Sequence, residues 1–180
     1  MQVIKSNKKY IMYHSDTMNE DIYSLTRQIK GKMDPFRDGG HGIEAIMYLP
    51  RGGAVPATHL CHMLGVKTLL QFPQLPKLTN PIRNGKFHAT VLLVDDISDT
   101  GMQLLDGYEY LRTQKARGNL DLFIKTATCW KRQGTAFDPD FCARTIKGSS
   151  RIVFPWETNV RPTRSNWLSD QMNCNLLGVV

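Results

Sequence analysis

Short apolar runs alternating with segments of helical period predict an α/β fold, a central and mostly parallel sheet flanked by helices. Three stretches point to it. Val91-Leu92-Leu93-Val94, following Thr90, is an uninterrupted apolar run with two valines, the pattern of a strand buried in the middle of a parallel sheet. It stops at Asp95-Asp96, at a strand's C-terminal end, where open α/β sheets hold their ligands. The small polar residues Asp99-Thr100-Gly101 then lead into Leu104, Leu105, Tyr108 and Leu111, which share one helical face.

The remaining elements follow in order. After Lys8-Lys9-Tyr10-Ile11, Ser15 or Asp16 can cap a helix that places Met18, Ile22, Leu25 and Ile29 on one face and stops at Gly31. Residues 34–42 read as loop and 43–49 as a short strand. Pro50-Arg51-Gly52-Gly53 is a tight turn before a helix over about 55–64, ended by Gly65. Residues 66–72 suit a third strand. Residues 73–88 hold three prolines with Asn80, Asn84 and Gly85, and read as a long exposed loop. Beyond the central motif, 120–129 reads as a fourth strand, 137–142 as irregular and 151–154 as a short apolar strand. The tail from Pro155, with Arg161, Arg164 and Trp167, shows no pattern and reads as solvated.

The chain has 180 residues, enough for one domain with a real core, and its 41% hydrophobic and 22% charged content is ordinary for a soluble protein. Cys61, Cys129, Cys142 and Cys174 are scattered without a CxxC pair, which points to reduced thiols and a cytoplasmic setting. The polar, lysine-bearing start does not read as a signal peptide, and no apolar run approaches membrane-spanning length. A net charge of +7 favours polyanionic partners. The charges form no single block and aromatics are not interleaved with them, so a small polyphosphate substrate is favoured over nucleic acid. His59 and His62 flank Cys61 without further ligands and read as surface residues. Trp130, Phe137 and Phe141 read as packing groups.

A turn feeding a helix N-terminus offers backbone N–H groups and the positive end of the helix dipole, which suits a phosphate. Carboxylates repel phosphates, so Asp95-Asp96 beside such a turn make sense if they hold sugar hydroxyls and a magnesium ion. Arg51-Gly52-Gly53, after a strand, is a second place where backbone amides can approach an anion closely. Lys131, just past a strand's C-terminal end, can donate to an acceptor on a base. No Walker pattern and no G-x-G-x-x-G are present.

Taken together, the apolar strand, Asp95-Asp96, two residues and Asp99-Thr100-Gly101 resemble the phosphoribosyl-diphosphate signature of the type I phosphoribosyltransferases. Residues 46–56 resemble the pyrophosphate loop of the xanthine-guanine type. Lys131 falls where that family places its base-reading lysine, and Arg151-Ile152-Val153-Phe154-Pro155-Trp156-Glu157 looks like its closing segment. The resemblance covers roughly residues 9–158 and leaves 159–180 outside. It implies the type I phosphoribosyltransferase fold, with a small hood subdomain and a flexible loop. It also implies transfer of a phosphoribosyl group to a 6-oxopurine, with Mg2+ as cofactor and a homodimer or homotetramer as the assembly. Asp95, Asp96, Asp99, Thr100, Gly101, Met102 and Gln103 would bind phosphoribosyl diphosphate, Asp95 and Asp96 with the metal, and Asp99 would be the general base. Arg51 and Gly52 would bind pyrophosphate across a cis Pro50–Arg51 peptide. Lys131, Arg151 and Ile152 would take the base. The 73–88 loop would close over the site, and its Lys77, Arg83 or Lys86 could reach pyrophosphate.

Two positions depart from the family pattern. Arg151 stands where an aromatic is usual, and a guanidinium plane can stack on a ring in its place. Gln103 stands where a Ser or Thr hydroxyl usually meets the 5′-phosphate, with Met102 before it in place of a small residue; an amide N–H can still donate. These departures keep two alternatives open beside the purine enzyme. One is a transferase for another base. The other is a phosphoribosyl-diphosphate or nucleotide sensor with the same fold, although a pure binder has no need of a base at Asp99.

Overall fold

The computed structural model describes residues 10–33, 42–74, 82–83, 86–117 and 120–157. Expectations falling on 34–41, 75–81 and 158–180, among them those for Lys77, Arg161, Arg164, Trp167 and Cys174, lie outside the described residues, as do the side chains of Arg83 and Lys86. The chain divides into two compact units, Glu20–Ile146 on the one hand and Met1–Asn19 with Lys147–Val180 on the other.

In the larger unit the strands are β2 (Ala45–Tyr48), β3 (Thr68–Gln71), β4 (Ile82–Arg83), β5 (Lys86–Ser98), β6 (Leu120–Arg132) and β7 (Phe141–Ile146). They form one sheet in the order β3-β2-β5-β6-β7, every neighbouring pair parallel, with β4 added antiparallel to β5. This is the expected mostly parallel sheet. β5 is central, as its apolar run predicts: Val91, Leu92, Leu93 and Val94 are all 0% exposed. Removing each such side chain from water is worth roughly 1.5–3 kcal/mol.

Helix α2 (Ala54–Leu64) follows β2 and ends at Gly65, as expected, while α3 (Met102–Arg117) follows β5. Leu104 and Leu111 of α3 join Met47, Leu49, Val91, Leu93 and Leu122 in a shared core. The other helix of this sheet, α1 (Ser15–Lys32), lies along β7. There Gln28 Nε2 donates to Cys142 O at 3.0 Å, and Arg144 Nε forks onto the buried Asp21 carboxylate at 2.7 and 2.8 Å. The Arg144 guanidinium also lies over the Trp130 ring.

Several boundaries differ from the sequence expectation. α1 passes Gly31 and ends at Lys32, and β5 does not stop at Asp95-Asp96 but runs on to Ser98. The supposed loop 73–88 carries β4 and the first turn-side residues of β5, because Ile82 and Arg83 pair with Phe87 and Lys86 in a short hairpin. The fourth strand runs on through Lys131 to Arg132, held by β7 along its outer edge. The segment 137–142 is irregular only as far as Asp140; β7 starts at Phe141, which is fully buried.

In the smaller unit β1 (Tyr10–Met12) pairs in parallel with β8 (Arg151–Val153). Tyr13 N donates to Val153 O, and the Tyr13 and Phe154 rings meet edge to face. Phe154 stacks in turn on Trp156. Among the described residues no helix is long and apolar enough to cross a membrane.

Candidate active site

Because β2, β5 and β6 are adjacent and parallel, their C-terminal ends finish side by side. Ala45–Tyr48 runs level with Val91–Val94, and Asp95, Ile97 and Ser98 run level with Thr128, Trp130 and Lys131. That register brings Arg51-Gly52, Asp95-Asp96, the 99–103 turn and Lys131 to one end of the sheet.

The pyrophosphate-type turn sits after β2. Leu49 N donates to Val94 O, Gly53 N to Leu49 O and Ala54 N to Arg51 O, so the chain folds back tightly at Pro50–Gly53. The Pro50–Arg51 peptide is cis, as expected. Arg51 is exposed. Gly52 lies directly against the Asp96 carboxylate: a Cβ there would stand 2.1 Å from Asp96 Oδ2. Only glycine lets these two segments touch.

The two acids differ sharply in surroundings. Asp95 is 5% exposed, and Asp96 N donates to its Oδ1 at 2.9 Å. Burial, reinforced by the neighbouring Asp96 charge, pushes the Asp95 carboxyl up to about 8. Such a pair gains from any cation or hydroxyl donor that relieves the crowding of negative charge. Two adjacent oxygen donors suit a hard cation such as Mg2+, which is commonly held by one or two carboxylates and completed by substrate oxygens. Among the described residues no group of three or more His, Cys, Asp or Glu could hold a metal by itself.

The phosphate-type turn is exposed at Asp99, Thr100, Met102 and Gln103. Gly101 has φ +83°, and a Cβ there would stand 2.4 Å from Thr135 Oγ1 and 2.5 Å from Phe137 N. The loop after β6 therefore packs beneath the turn. Ala136 N donates to Thr100 O, and the buried Ser98 hydroxyl bonds Phe137 O and meets Thr135 Oγ1 at 3.0 Å. The Phe137 ring packs on Tyr108 of α3, so its reading as a packing group holds. First-turn amides of a helix lack intrahelical partners, which leaves the start of α3 able to receive an anion.

Around these loops are contacts that reading the sequence did not find. Gln103 Nε2 donates to Pro50 O at 3.2 Å, joining the phosphate-type turn to the pyrophosphate-type turn. Arg132 Nε bonds Asp99 Oδ1, and Lys131 Nζ is paired with Asp138 Oδ1 at 2.6 Å. Arg132 was legible only as a second cation beside Lys131 at a strand end. Asp138 carried no signal. Arg151 and Ile152 belong to the smaller unit: Arg151 is exposed and lies 3.6 Å from Glu157 Oε1, and the Ile152 side chain is buried.

No protein-family model and no curated protein sequence matches the chain. Solved structures do. The purine phosphoribosyltransferase of Pyrococcus horikoshii superposes with a TM-score of 0.63 over 87% of this chain and 99% of that one, at 24% identity. The chain has the fold of the purine phosphoribosyltransferases. The Helicobacter pylori xanthine-guanine-hypoxanthine phosphoribosyltransferase gives 0.58 at 18% identity, over 89% of this chain and 99% of that one. A hypothetical protein from Neisseria gonorrhoeae with bound ppGpp gives 0.60 at 16% identity, over 93% and 99%. In this phosphoribosyltransferase fold, the acids and both anion-type turns occupy the carboxyl end of the central strands.

Proposed function

We propose that the protein is a purine phosphoribosyltransferase, transferring the phosphoribosyl group of 5-phosphoribosyl 1-diphosphate to a 6-oxopurine: guanine, xanthine or hypoxanthine. The observation that supports this most is the convergence of Arg51-Gly52, Asp95-Asp96 and Asp99–Gln103 at one end of the sheet, in a fold shared with purine phosphoribosyltransferases. Purine N9 attacks C1′ of the ribose, the C1′–O bond breaks, and its electron pair leaves on pyrophosphate.

Asp95 and Asp96 are suited to the ribose hydroxyls and to Mg2+, which when bound supplies charge neutralisation for the diphosphate. The 99–103 turn takes the 5′-phosphate through backbone N–H groups. Arg51 and the Gly52 backbone take pyrophosphate and stabilise the charge that develops on it. Asp99 accepts the proton released near N7, a role that needs hydrogen-bond reach of the base. Lys131 donates to O6, and Arg151 and Ile152 are assigned to the base by resemblance. A cytoplasmic location and a homodimer or homotetramer belong to the same proposal.

The test is product formation from phosphoribosyl diphosphate and Mg2+, with guanine, xanthine, hypoxanthine and adenine offered separately. Turnover of a 6-oxopurine that falls by roughly 10²–10⁴ in Asp99→Asn is expected, the size of a general-base contribution. Absence of turnover with every purine, alongside measurable binding of phosphoribosyl diphosphate, would refute the purine assignment.

Two observations favour a second reading, a nucleotide-binding regulatory protein. Asp99 is engaged by Arg132, and a structure with the same fold holds ppGpp. Binding of a guanine nucleotide without turnover of any base distinguishes the two.

A further inference from the structure

The amide of Gln103 reaches across 53 positions of chain to the carbonyl of Pro50. The two ends of that hydrogen bond belong to different anion-type segments. Gln103 lies in the first turn of α3, just past Thr100-Gly101, and Pro50 opens the Arg51-Gly52 turn. A serine or threonine at 103 would end at a hydroxyl on Cβ; glutamine carries its donor two carbons farther out, and that extra reach makes the contact. The Pro50–Gly52 turn is thus held from two sides, by the Asp96 carboxylate against Gly52 and by the Gln103 amide on Pro50 O. One restraint comes from the last turn-side residues of β5 and the other from the first turn of α3.

We propose that Gln103 is a positioning residue that ties the pyrophosphate-binding turn to the 5′-phosphate turn, in place of contacting the 5′-phosphate itself. This rests on the phosphoribosyl-diphosphate reading above. Such a substrate carries both anionic groups on one ribose, so the ligand sets the distance between the two sites. A protein tether that holds the same distance aligns the donors before the substrate arrives.

The experiment is calorimetric titration of inorganic pyrophosphate and of ribose 5-phosphate, each with Mg2+, into wild-type protein, Gln103→Ala and Gln103→Glu. Glutamate keeps the length and loses the donor. Amide hydrogen exchange at Gly53 and Ala54 is followed in the same proteins. In both variants the Kd for pyrophosphate should rise about fivefold or more, the value of one hydrogen bond. Ribose 5-phosphate should change by less than about twofold on the same scale, and both amides should exchange faster. The opposite split, with ribose 5-phosphate weakened and pyrophosphate unchanged, would overturn the proposal and assign Gln103 to the phosphate. Unchanged binding of both anions would overturn it as well. Wild-type protein that binds neither anion removes the underlying reading, and the exchange rates at Gly53 and Ala54 then still decide whether the tether exists.

Discussion

Adjacent glycines in the pyrophosphate-type turn should fail in different ways when each is changed to alanine. A Cβ on Gly53 would stand 2.4 Å from Val94 O, 2.9 Å from Leu49 O and 3.0 Å from the Asp95 Cα. All three neighbours are backbone, two of them in β5 and the third in the residue that follows β2, so relief requires the backbone to shift. Overpacking of that kind costs about 1–3 kcal/mol, which for a chain of this size lowers Tm by roughly 2–12 °C. A Cβ on Gly52 meets only the Asp96 side chain, with Oδ2 at 2.1 Å, Cγ at 2.4 Å and Oδ1 at 2.6 Å. That carboxylate can rotate away for about 0.5–1.5 kcal/mol, but it then leaves the place where it would hold a ribose hydroxyl or Mg2+. Gly52→Ala is therefore expected to keep its Tm within about 6 °C and to lose roughly 10–100-fold in affinity for phosphoribosyl diphosphate with Mg2+, the scale seen when a group that orients a metal ligand is changed. Thermal melts and calorimetry on the two variants separate the outcomes. Gly52→Ala that binds as wild type would refute the role given to Asp96, and Gly53→Ala with an unchanged Tm would refute the packing.

Two further expectations concern stability. Asp95 has its carboxyl raised from 3.8 to about 8 by burial and by Asp96. The native state therefore favours the protonated form, and stability should fall as pH rises from about 4 to about 8, by on the order of 1 kcal/mol per unit at most. Melts at pH 5, 6.5 and 8 should show that slope in the wild type and its loss in Asp95→Asn; a wild type with no slope would contradict the burial argument. Arg144→Met leaves the Asp21 carboxylate, 3% exposed, without its guanidinium. A loss of about 3–5 kcal/mol is expected, with much of it recovered in the double variant with Asp21→Asn; additivity of the two single changes would disprove the pairing.

What the sequence made legible follows the range of the forces involved. β5 declared itself through four consecutive buried residues, and the site through acids and a glycine turn placed directly after them. β7 did not, because Phe-Cys-Ala-Arg-Thr-Ile shows neither the alternation of a half-buried strand nor an unbroken apolar run, and Arg144 finds its partner Asp21 at the other end of the unit, 123 positions away. β4 and the start of β5 were hidden by prolines, asparagine and glycine that read as loop, although a two-residue pairing suffices for the hairpin. Arg132 and Gln103 could be counted but not placed: their partners, Asp99 and Pro50, are brought near only by parallel pairing of strands distant in sequence. The Pro50–Arg51 cis peptide was anticipated from resemblance alone.

The loop beneath the 99–103 turn has a consequence for the energetics of recognition. Thr135, Ala136 and Phe137 hold Ser98, Thr100 and Gly101 from the side away from the exposed face of the turn. A turn free in solution would lose conformational entropy on closing around a phosphate, on the order of 1–2 kcal/mol for each residue it ordered. For the phosphate proposed at this turn, that ordering would already have been met by folding. Affinity at this turn is thus partly written in the strand-connecting loop some thirty-five positions downstream, and changes there would register as weaker binding without altering a single contact to the ligand.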